Sequence, residues 1–533
     1  MGQTKSQLWA KKPLAMLLAE EKGENRLRRV LGPVGLTSLG VGAIIGTGIF
    51  VLVGKAAHDV AGPSLMLSFI VAGVACIFAA LCYAEFASMV PVAGSAYTYA
   101  YATLGELFAW IIGWDLVLEY SVGAATVAHG WSKYFQDFLK VFNNNKPVWP
   151  HIVGDAPYEY VTKALDPVTH KMVELPAAIF QSTGSYFDLP AVMIAALVTW
   201  ILVVGIKESA RFNATMVIVK LAIVVFVIFA GWRYVTFANW KPFAPFGYGG
   251  LSFFGWVPPG TTVVDKKPVG MLAGAAVIFF AYIGFDSIST HAEEAKNPRR
   301  DLPIGIITSL ILCTLLYILV AGVLTGMVKF DAINKDAPVS SAFEQVGLNW
   351  ARYLISFGAL TGITSVLLVM MLSQPRVFLA MARDGLVPPS FFGAVHPKYR
   401  TPWKSTILTG VFVAMMGGLL PLDILAELVN IGTLLAFVIV CAAVLIMRKT
   451  NPDAVRPFRA PFVPLVPILG IVMCLMLMFS LPVDSWIRLI VWLAIGFVIY
   501  FGYGKRHSVL ARGGAAEFGG YNPESKPPPP VET

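Results

Sequence analysis

A chain of 533 residues would fill several soluble domains, but 57% of its residues are apolar and only 13% are charged, too few charges to keep the surfaces of such domains wet. The mean hydropathy is +0.70, and apolar runs of eighteen residues or more, each long enough to cross a bilayer core, recur from end to end. The formal charge of +9 suggests nucleic-acid binding until its distribution is read: the basic residues gather in alternate loops between apolar runs, as membrane orientation requires.

Residues 1–30 carry Lys11, Lys12, Arg26, Arg28 and Arg29 and no long apolar core, so no cleaved leader is expected. Leu8, Trp9, Leu14, Leu17 and Leu18 among lysines and glutamates fit either an amphipathic helix on the membrane surface or a solvated tail. An all-α membrane protein of twelve transmembrane helices is expected, with spans near 34–57, 64–88, 105–132, 188–206, 211–235, 270–290, 303–328, 351–382, 404–422, 424–447, 462–482 and 485–503. With a cytoplasmic N-terminus, the inner loops carry Lys207 and Arg211; Lys296, Arg299 and Arg300; Arg383, Lys398, Arg400 and Lys404; and Arg448, Lys449, Arg456 and Arg459. The C-terminal tail opens with Lys505-Arg506, and an even span count puts both termini inside. The short outer connections are poorer in such residues, Lys266 and Lys267 excepted.

The long outer segments 133–187 and 236–269, rich in proline, aromatic and polar residues, are expected to form small external lids. The tail at Pro527–Pro530 is polyproline-like and expected to be disordered. Cys76, Cys82, Cys313, Cys441 and Cys474 all lie in apolar runs without metal-ligand spacing, which predicts core thiols rather than disulfides. No nucleophile–base pair or metal cluster stands at usable spacing, so neither an enzyme nor a cofactor is expected.

The first span holds Gly40, Gly42, Gly46 and Gly48. Glycine costs about 1 kcal/mol against alanine inside a helix, so four in nine residues invite a break; close helix packing through small residues is the alternative. A break at membrane depth is tolerable where it lines a cavity, and the N–H groups of the outer half-helix suit a carboxylate. The sixth span ends Phe279-Phe280-Ala281-Tyr282-Ile283-Gly284-Phe285-Asp286, again aromatics beside a glycine. The two interrupted spans stand five apart, where a site between inverted repeats is expected. Lys220 lies about nine residues, roughly 13 Å, into its span, too deep for a lysine unless it faces protein. Thr361, Thr364 and Ser365 share one face of span 8, where their hydroxyls can meet the ammonium or, as is commoner in apolar helices, bond their own backbone. Glu119 in span 3 is a second ionisable candidate, as pocket charge or structural partner. Inner-surface ion pairs are expected for most of Glu85, Asp115, Asp286 and Arg376, and packing or interfacial roles for His58 and His129.

Several motifs in order carry a family resemblance. Arg26-Leu27-Arg28-Arg29-Val30-Leu31-Gly32 through Gly46-Thr47-Gly48-Ile49-Phe50 resembles the first span of the amino acid–polyamine–organocation superfamily. Phe280-Ala281-Tyr282-Ile283-Gly284-Phe285-Asp286, followed by Glu293-Glu294-Ala295-Lys296-Asn297-Pro298, is similar to its cationic amino acid transporter branch. So are Tyr83-Ala84-Glu85-Phe86, Gly113-Trp114-Asp115-Leu116 and Arg383-Asp384-Gly385-Leu386. The likeness covers residues 26–505 and departs at 133–187 and 251–268.

The resemblance implies the leucine-transporter fold with a 5+5 inverted repeat: a cytoplasmic segment 1–33, a transport core 34–447, two further helices in 448–505 and a cytoplasmic tail 506–533. It places the substrate carboxylate on the N–H groups of Thr47 and Gly48, the α-amino group on the carbonyls of Ile44, Phe280 and Ile283, Ala281 beside them, and Met370 at the side-chain end. Phe280 would cover the ligand. It also implies a proton-coupling lysine at Lys220, bonded to the Gly42 and Ile45 carbonyls and the Thr364 and Ser365 hydroxyls. The expected function is amino acid import across the cell membrane (the inner one if Gram-negative) by proton symport, with alanine-like substrates favoured. An exchanger, a cationic amino acid transporter and, last, a non-transporting sensor are the alternatives. The expected partners are the amino acid, the proton and the lipid bilayer, with no nucleic acid; the oligomeric state is left open.

Overall fold

In a computed structural model, residues 7–13, 31–90, 95–141, 148–165, 172–204, 209–253, 256–264, 267–399, 401–510 and 512 are described. Leu14, Leu17 and Leu18, and the tail at Pro527–Pro530, lie outside them. The principal helices are α1 (Pro33–Ile44), α2 (Leu65–Met89), α3 (Glu106–Val141), α4 (Leu189–Val204), α5 (Ser209–Trp232), α6 (Met271–Ile278), α7 (Pro298–Met327), α8 (Asn349–Arg383), α9 (Trp403–Leu419), α10 (Leu422–Thr450), α11 (Leu465–Phe479) and α12 (Val483–Ile499).

Among the described residues, eight helical stretches are long and apolar enough to cross a membrane, including Glu106–Lys140, Pro298–Met327 and Asn349–Arg383. Pro33–Ile44, Leu189–Val204, Trp403–Leu419 and Leu465–Phe479 are shorter apolar helices. The multi-pass helical architecture read from hydropathy is present; fewer helices than the expected twelve meet the length requirement on their own. One cause is local. The stretch Gly48–Met89 counts as a single span, although Gly62 (φ +61°) and Pro63 turn the chain between its halves.

The lipid-facing stripe of α5 is Ile218, Val225 and Phe229, all exposed, whereas Val217, Lys220, Ile223, Val224 and Val227 are buried. Lys220 therefore faces protein. Room for it comes from α8: a Cβ on Gly358 would collide with Ile223, and one on Gly362 would fall 3.3 Å from Lys220 Cβ. This pair at i and i+4 is the close-packing device of membrane helices. Helix α8 also lies along α3, and α7 lies along α1 and α2. All five cysteines are buried free thiols, so the thiol reading holds.

Helix α3 runs on to Val141, so the long connection begins later than residue 133. Lys133 marks where hydropathy falls, not where the helix stops. The connection contains an antiparallel hairpin, β1 (Tyr158–Leu165) and β2 (Met172–Ser182), with Tyr158 opposite Ser182. A second pair, β3 (Val263–Val264) and β4 (Lys267–Pro268), lies in the other long segment. Both ends of the described chain meet at the start of α3: Gln7 Nε2 donates to the Lys505 carbonyl at 2.6 Å, and Ser508 Oγ donates to Glu106.

Candidate functional site

Two helix breaks face each other at the centre of the molecule. Helix α1 ends at Ile44, Ile45 is extended (ψ 104°), and helix resumes at Gly48. Helix α6 ends at Ile278, followed by a 3₁₀ turn over Phe279–Tyr282, an extended Ile283 (ψ 134°) and Gly284 at φ +115°. The alternatives for the glycine cluster are both realised, break and close packing. A Cβ on Gly48 would overlap Ala281 Cα, and one on Gly284 would fall 3.0 Å from Ala43 Cβ. Tyr317 of α7, which sequence reading missed, links the breaks: its hydroxyl lies 2.8 Å from the Ile44 carbonyl and 2.9 Å from the Ala281 carbonyl. A lone buried tyrosine in an apolar run carries no sequence signal of such a role.

The first N–H groups of a helix lack intrahelical acceptors. Ile49 and Phe50 turn back to the Gly46 carbonyl at 3.2 Å each, which leaves Thr47 and Gly48 as the amides presented at the α1 break. Thr47 Oγ1 is buried and has no hydrogen-bond partner among the described residues. A half-helix N-terminus with a spare hydroxyl suits an anion such as a carboxylate. Of the carbonyls expected to meet an amine, Ile44 receives Tyr317 and Phe280 receives the Ile283 N–H at 3.2 Å, each keeping a second lone pair. Ile44, Thr47, Gly48, Phe280, Ala281, Ile283 and Met370 are all buried.

Helix α3 orders these elements like a ruler. Gly130 abuts Thr47, where a Cβ would fall 2.6 Å from Thr47 Cγ2; Gly123, seven residues back, lies against Met370, with 3.2 Å from its would-be Cβ to Sδ. At 1.5 Å per residue these contacts are about 10 Å apart. Glu119 lies one turn beyond Gly123, beside Asp286 and Thr433. Met370 thus stands between the Thr47 end and the acid.

The Glu119 region is acidic and unpaired. Glu119, Asp115 and Asp286 are buried, and Glu119 Oε1, both Asp115 oxygens and Asp286 Oδ1 have no hydrogen-bond partner among the described residues. Asp286 Oδ2 accepts from Tyr120 at 2.6 Å. The expected inner ion pairs form at Glu85, with Arg448 (2.8 Å) and Arg456 (3.3 Å), and at Arg376, with Glu294 (2.6 Å). Asp115 and Asp286 make none among the described residues. Burial at a crossing, not nearness to a span end, decides which carboxylates meet a cation.

Lys220 sits under the α1 break. Its ammonium donates to the Gly42 carbonyl at 2.7 Å, the Ile45 carbonyl at 2.9 Å and Ser365 Oγ at 2.8 Å, one acceptor for each of its three donors. Thr364 does not join them: its hydroxyl bonds its own helix at Leu360, 2.7 Å away, the common fate of a helical threonine. Thr361 likewise bonds Gly358.

The chain was compared with known proteins. It is 46% identical over 507 residues to the branched-chain amino acid permease of Bacillus subtilis, covering 95% of this chain and 99% of that protein. It is 44% identical to the methylthioribose transporter of the same organism, with the same coverage. It is 39% identical over 438 residues to the vacuolar cationic amino acid transporter 4 of Arabidopsis thaliana, covering 82% of this chain and 66% of that one. These relatives are permeases and transporters, not enzymes. Residues 31–501 match the amino acid permease family model, and with both glycine-broken helices inside that match the chain belongs to the amino acid permease family of the amino acid–polyamine–organocation superfamily.

Proposed function

We infer that the protein imports neutral amino acids by proton symport, through twelve membrane crossings in the leucine-transporter fold, with both termini cytoplasmic in the cell membrane. The observation that carries the coupling is the Lys220 ammonium held on two carbonyls of the broken α1 and a hydroxyl of α8. Protonated, it ties α5 to α1 and α8; deprotonated, it loses its charge and a donor, and α1 is freed to move. Acid outside therefore favours the tied, loaded form, and a more alkaline cytoplasm favours release. The facing breaks at Gly48 and Ala281 support the inverted-repeat reading, since sites of such folds lie between interrupted helices.

Thr47 and Gly48 receive the substrate carboxylate; the carbonyls of Ile44, Phe280 and Ile283 receive the amine, with Ala281 beside them. Met370 against Gly123 closes the pocket before Glu119, so small or medium neutral side chains such as alanine fit best. The name of the branched-chain relative agrees with a neutral aliphatic substrate. One observation favours a second reading, transport of cationic amino acids: the buried carboxyls of Glu119, Asp115 and Asp286 beyond Met370, which have oxygens without a hydrogen-bond partner among the described residues.

Uptake of labelled alanine, leucine and arginine into proteoliposomes, with and without an imposed pH gradient, tests the proposal. Alanine accumulation driven by acid outside is expected. Uptake that requires preloaded amino acid and ignores the gradient would make the protein an exchanger, and preference for arginine would establish the second reading.

A further inference from the structure

We propose that the face opposite the chain ends carries a site for a divalent transition-metal ion of the zinc class, built by His129, Asp155 and Asp188. Three separate segments meet there: His129 on α3, Asp155 in the connection ahead of β1, and Asp188 immediately before α4. One ligand atom from each lies within 4.8 Å of the others. The position is well removed from the chain ends, since His129 lies 23 residues, about 35 Å, along α3 from Glu106.

Two observations set this cluster apart from a solvated ion pair. Asp188 is fully buried, and its Oδ1 accepts from Ser132 Oγ at 2.6 Å and from the Ala191 N–H at 3.0 Å. Its Oδ2 has no hydrogen-bond partner among the described residues, and a buried carboxylate oxygen without a donor is costly. The second observation is spacing. His129 Nδ1 stands 3.6 Å from that oxygen and 3.3 Å from the Gly417 carbonyl. Two ligands each about 2.1 Å from a tetrahedral zinc lie about 3.4 Å apart. The imidazole and carboxylate are therefore already spaced as a ligand pair, and ligation would cost Nδ1 the proton that it donates to the Gly417 carbonyl.

Charge points the same way. Lys133, whose ammonium is 2.7 Å from Asp155 Oδ2, is the basic side chain paired there. Two acidic side chains face one ammonium at the cluster. One nitrogen with oxygen ligands suits zinc or cobalt better than magnesium or calcium, which take oxygen alone. Bound metal would fasten the long connection to α3 one residue from Gly130, the contact point with Thr47.

Lys133 competes with the ion for Asp155, which makes the test two-sided. Tag-free protein, stripped with EDTA in detergent, is titrated with ZnCl2 by calorimetry and with CoCl2 by visible absorption; a cooperative thermal melt verifies that each variant is folded. One saturable site with a cobalt ligand-field band is expected. Asp188→Asn should weaken it at least tenfold, and Lys133→Gln should strengthen it severalfold. Absence of saturable binding, an Asp188→Asn variant that binds as wild type does, or a folded Lys133→Gln variant that binds more weakly overturns the proposal; the cluster would then be a histidine–carboxylate pair alone.

Discussion

The two helix breaks solve one geometric problem with different chemistry. At the α1 break the freed carbonyls of Gly42 and Ile45 are held by the Lys220 ammonium. At the α6 break neutral groups serve: the Tyr317 hydroxyl reaches Ala281, the Asn430 amide donates to Ala276 at 3.0 Å, and Ser287 Oγ donates to Gly284 at 2.5 Å. Hydrogen bonds from a charged donor are worth about 1.5–3 kcal/mol, against about 0.5–1.5 for neutral ones. Amides and hydroxyls do not titrate near neutrality. On the proposed coupling, loss of the Lys220 proton would release the first break and leave the second in place, which would make α1 the moving element and α6 the fixed reference.

The most damaging change to that contrast is Lys220→Ala. It removes the charge and all three donors, so pH-gradient-driven accumulation should vanish. Substrate binding, which we propose is made by backbone at Thr47, Gly48, Phe280 and Ile283, should stay within about threefold of wild type, because a side chain 2.7–2.9 Å from other carbonyls does not supply those contacts. Accumulation at the wild-type level under the same gradient would remove the lysine from the mechanism and make Glu119 the first suspect. Tyr317→Phe is next. Losing the hydroxyl leaves two buried carbonyls one donor short, a cost of about 1–3 kcal/mol spread over both breaks. Alanine affinity should fall about tenfold by thermal shift while the pH dependence of transport persists. Loss of the pH dependence instead would mean that the neutral bridge, too, takes part in coupling.

What was legible in the sequence follows from where the signal was local. Glycine clusters announce helix breaks because each glycine has its own conformational cost, and Lys220 stands out because a charge in an apolar run is rare. Residues that act across the fold were hidden. Tyr317 looks like any core aromatic until α7 is placed beside both breaks. Gly358 and Gly362 went unread, because nothing local to them names the helix they pack against. Thr364 was misjudged for a related reason: three hydroxyls on one face can point to a lysine or to their own backbone, and only packing against α5 decides. Asp115 and Asp286 escaped the expected ion pairs because hydropathy locates span ends but not which helix crosses there.

A smaller effect, confined to specificity, is expected from Met370→Ser. The sulfur packs on Gly123 and, in the proposed pocket, would separate the Thr47 end from Glu119. Shortening it opens that boundary without touching either break. Larger side chains should gain about tenfold in affinity, in line with about 1–3 kcal/mol per methylene-sized change in a pocket, and alanine should change little. An unaltered substrate ranking would show that Met370 is core packing rather than pocket wall.

The smallest expected effect lies at the chain-end face and asks whether α1 is held by Lys220 alone. Lys12 Nζ bonds Asp384 Oδ1 at 2.7 Å, while Tyr97 donates to Oδ2 at 2.6 Å. Backbone pairs fix the same strap: the Lys12 N–H to the Tyr101 carbonyl at 3.1 Å, and the Glu106 N–H to the Ala10 carbonyl at 3.0 Å. The start of α1 is tied separately, Leu31 exchanging backbone bonds with Glu294 (3.0 Å) and Lys296 (2.8 Å). The Lys12 and Asp384 side chains are only 7% and 11% exposed, against 31% and 32% for the Lys55–Asp423 pair on the opposite face. Exposed pairs contribute little, whereas removing one partner of a buried pair strands the other. Lys12→Ala should therefore loosen its face more than Lys55→Ala loosens the other, though far less than loss of Lys220. A single cysteine at Ser289, buried in the wild type, reports this in a background without the native cysteines. Its labelling by a thiol reagent should rise severalfold in Lys12→Ala and less in Lys55→Ala. Equal labelling in wild type and Lys12→Ala would show that the strap closes nothing and that the ammonium beneath the α1 break holds the path unaided.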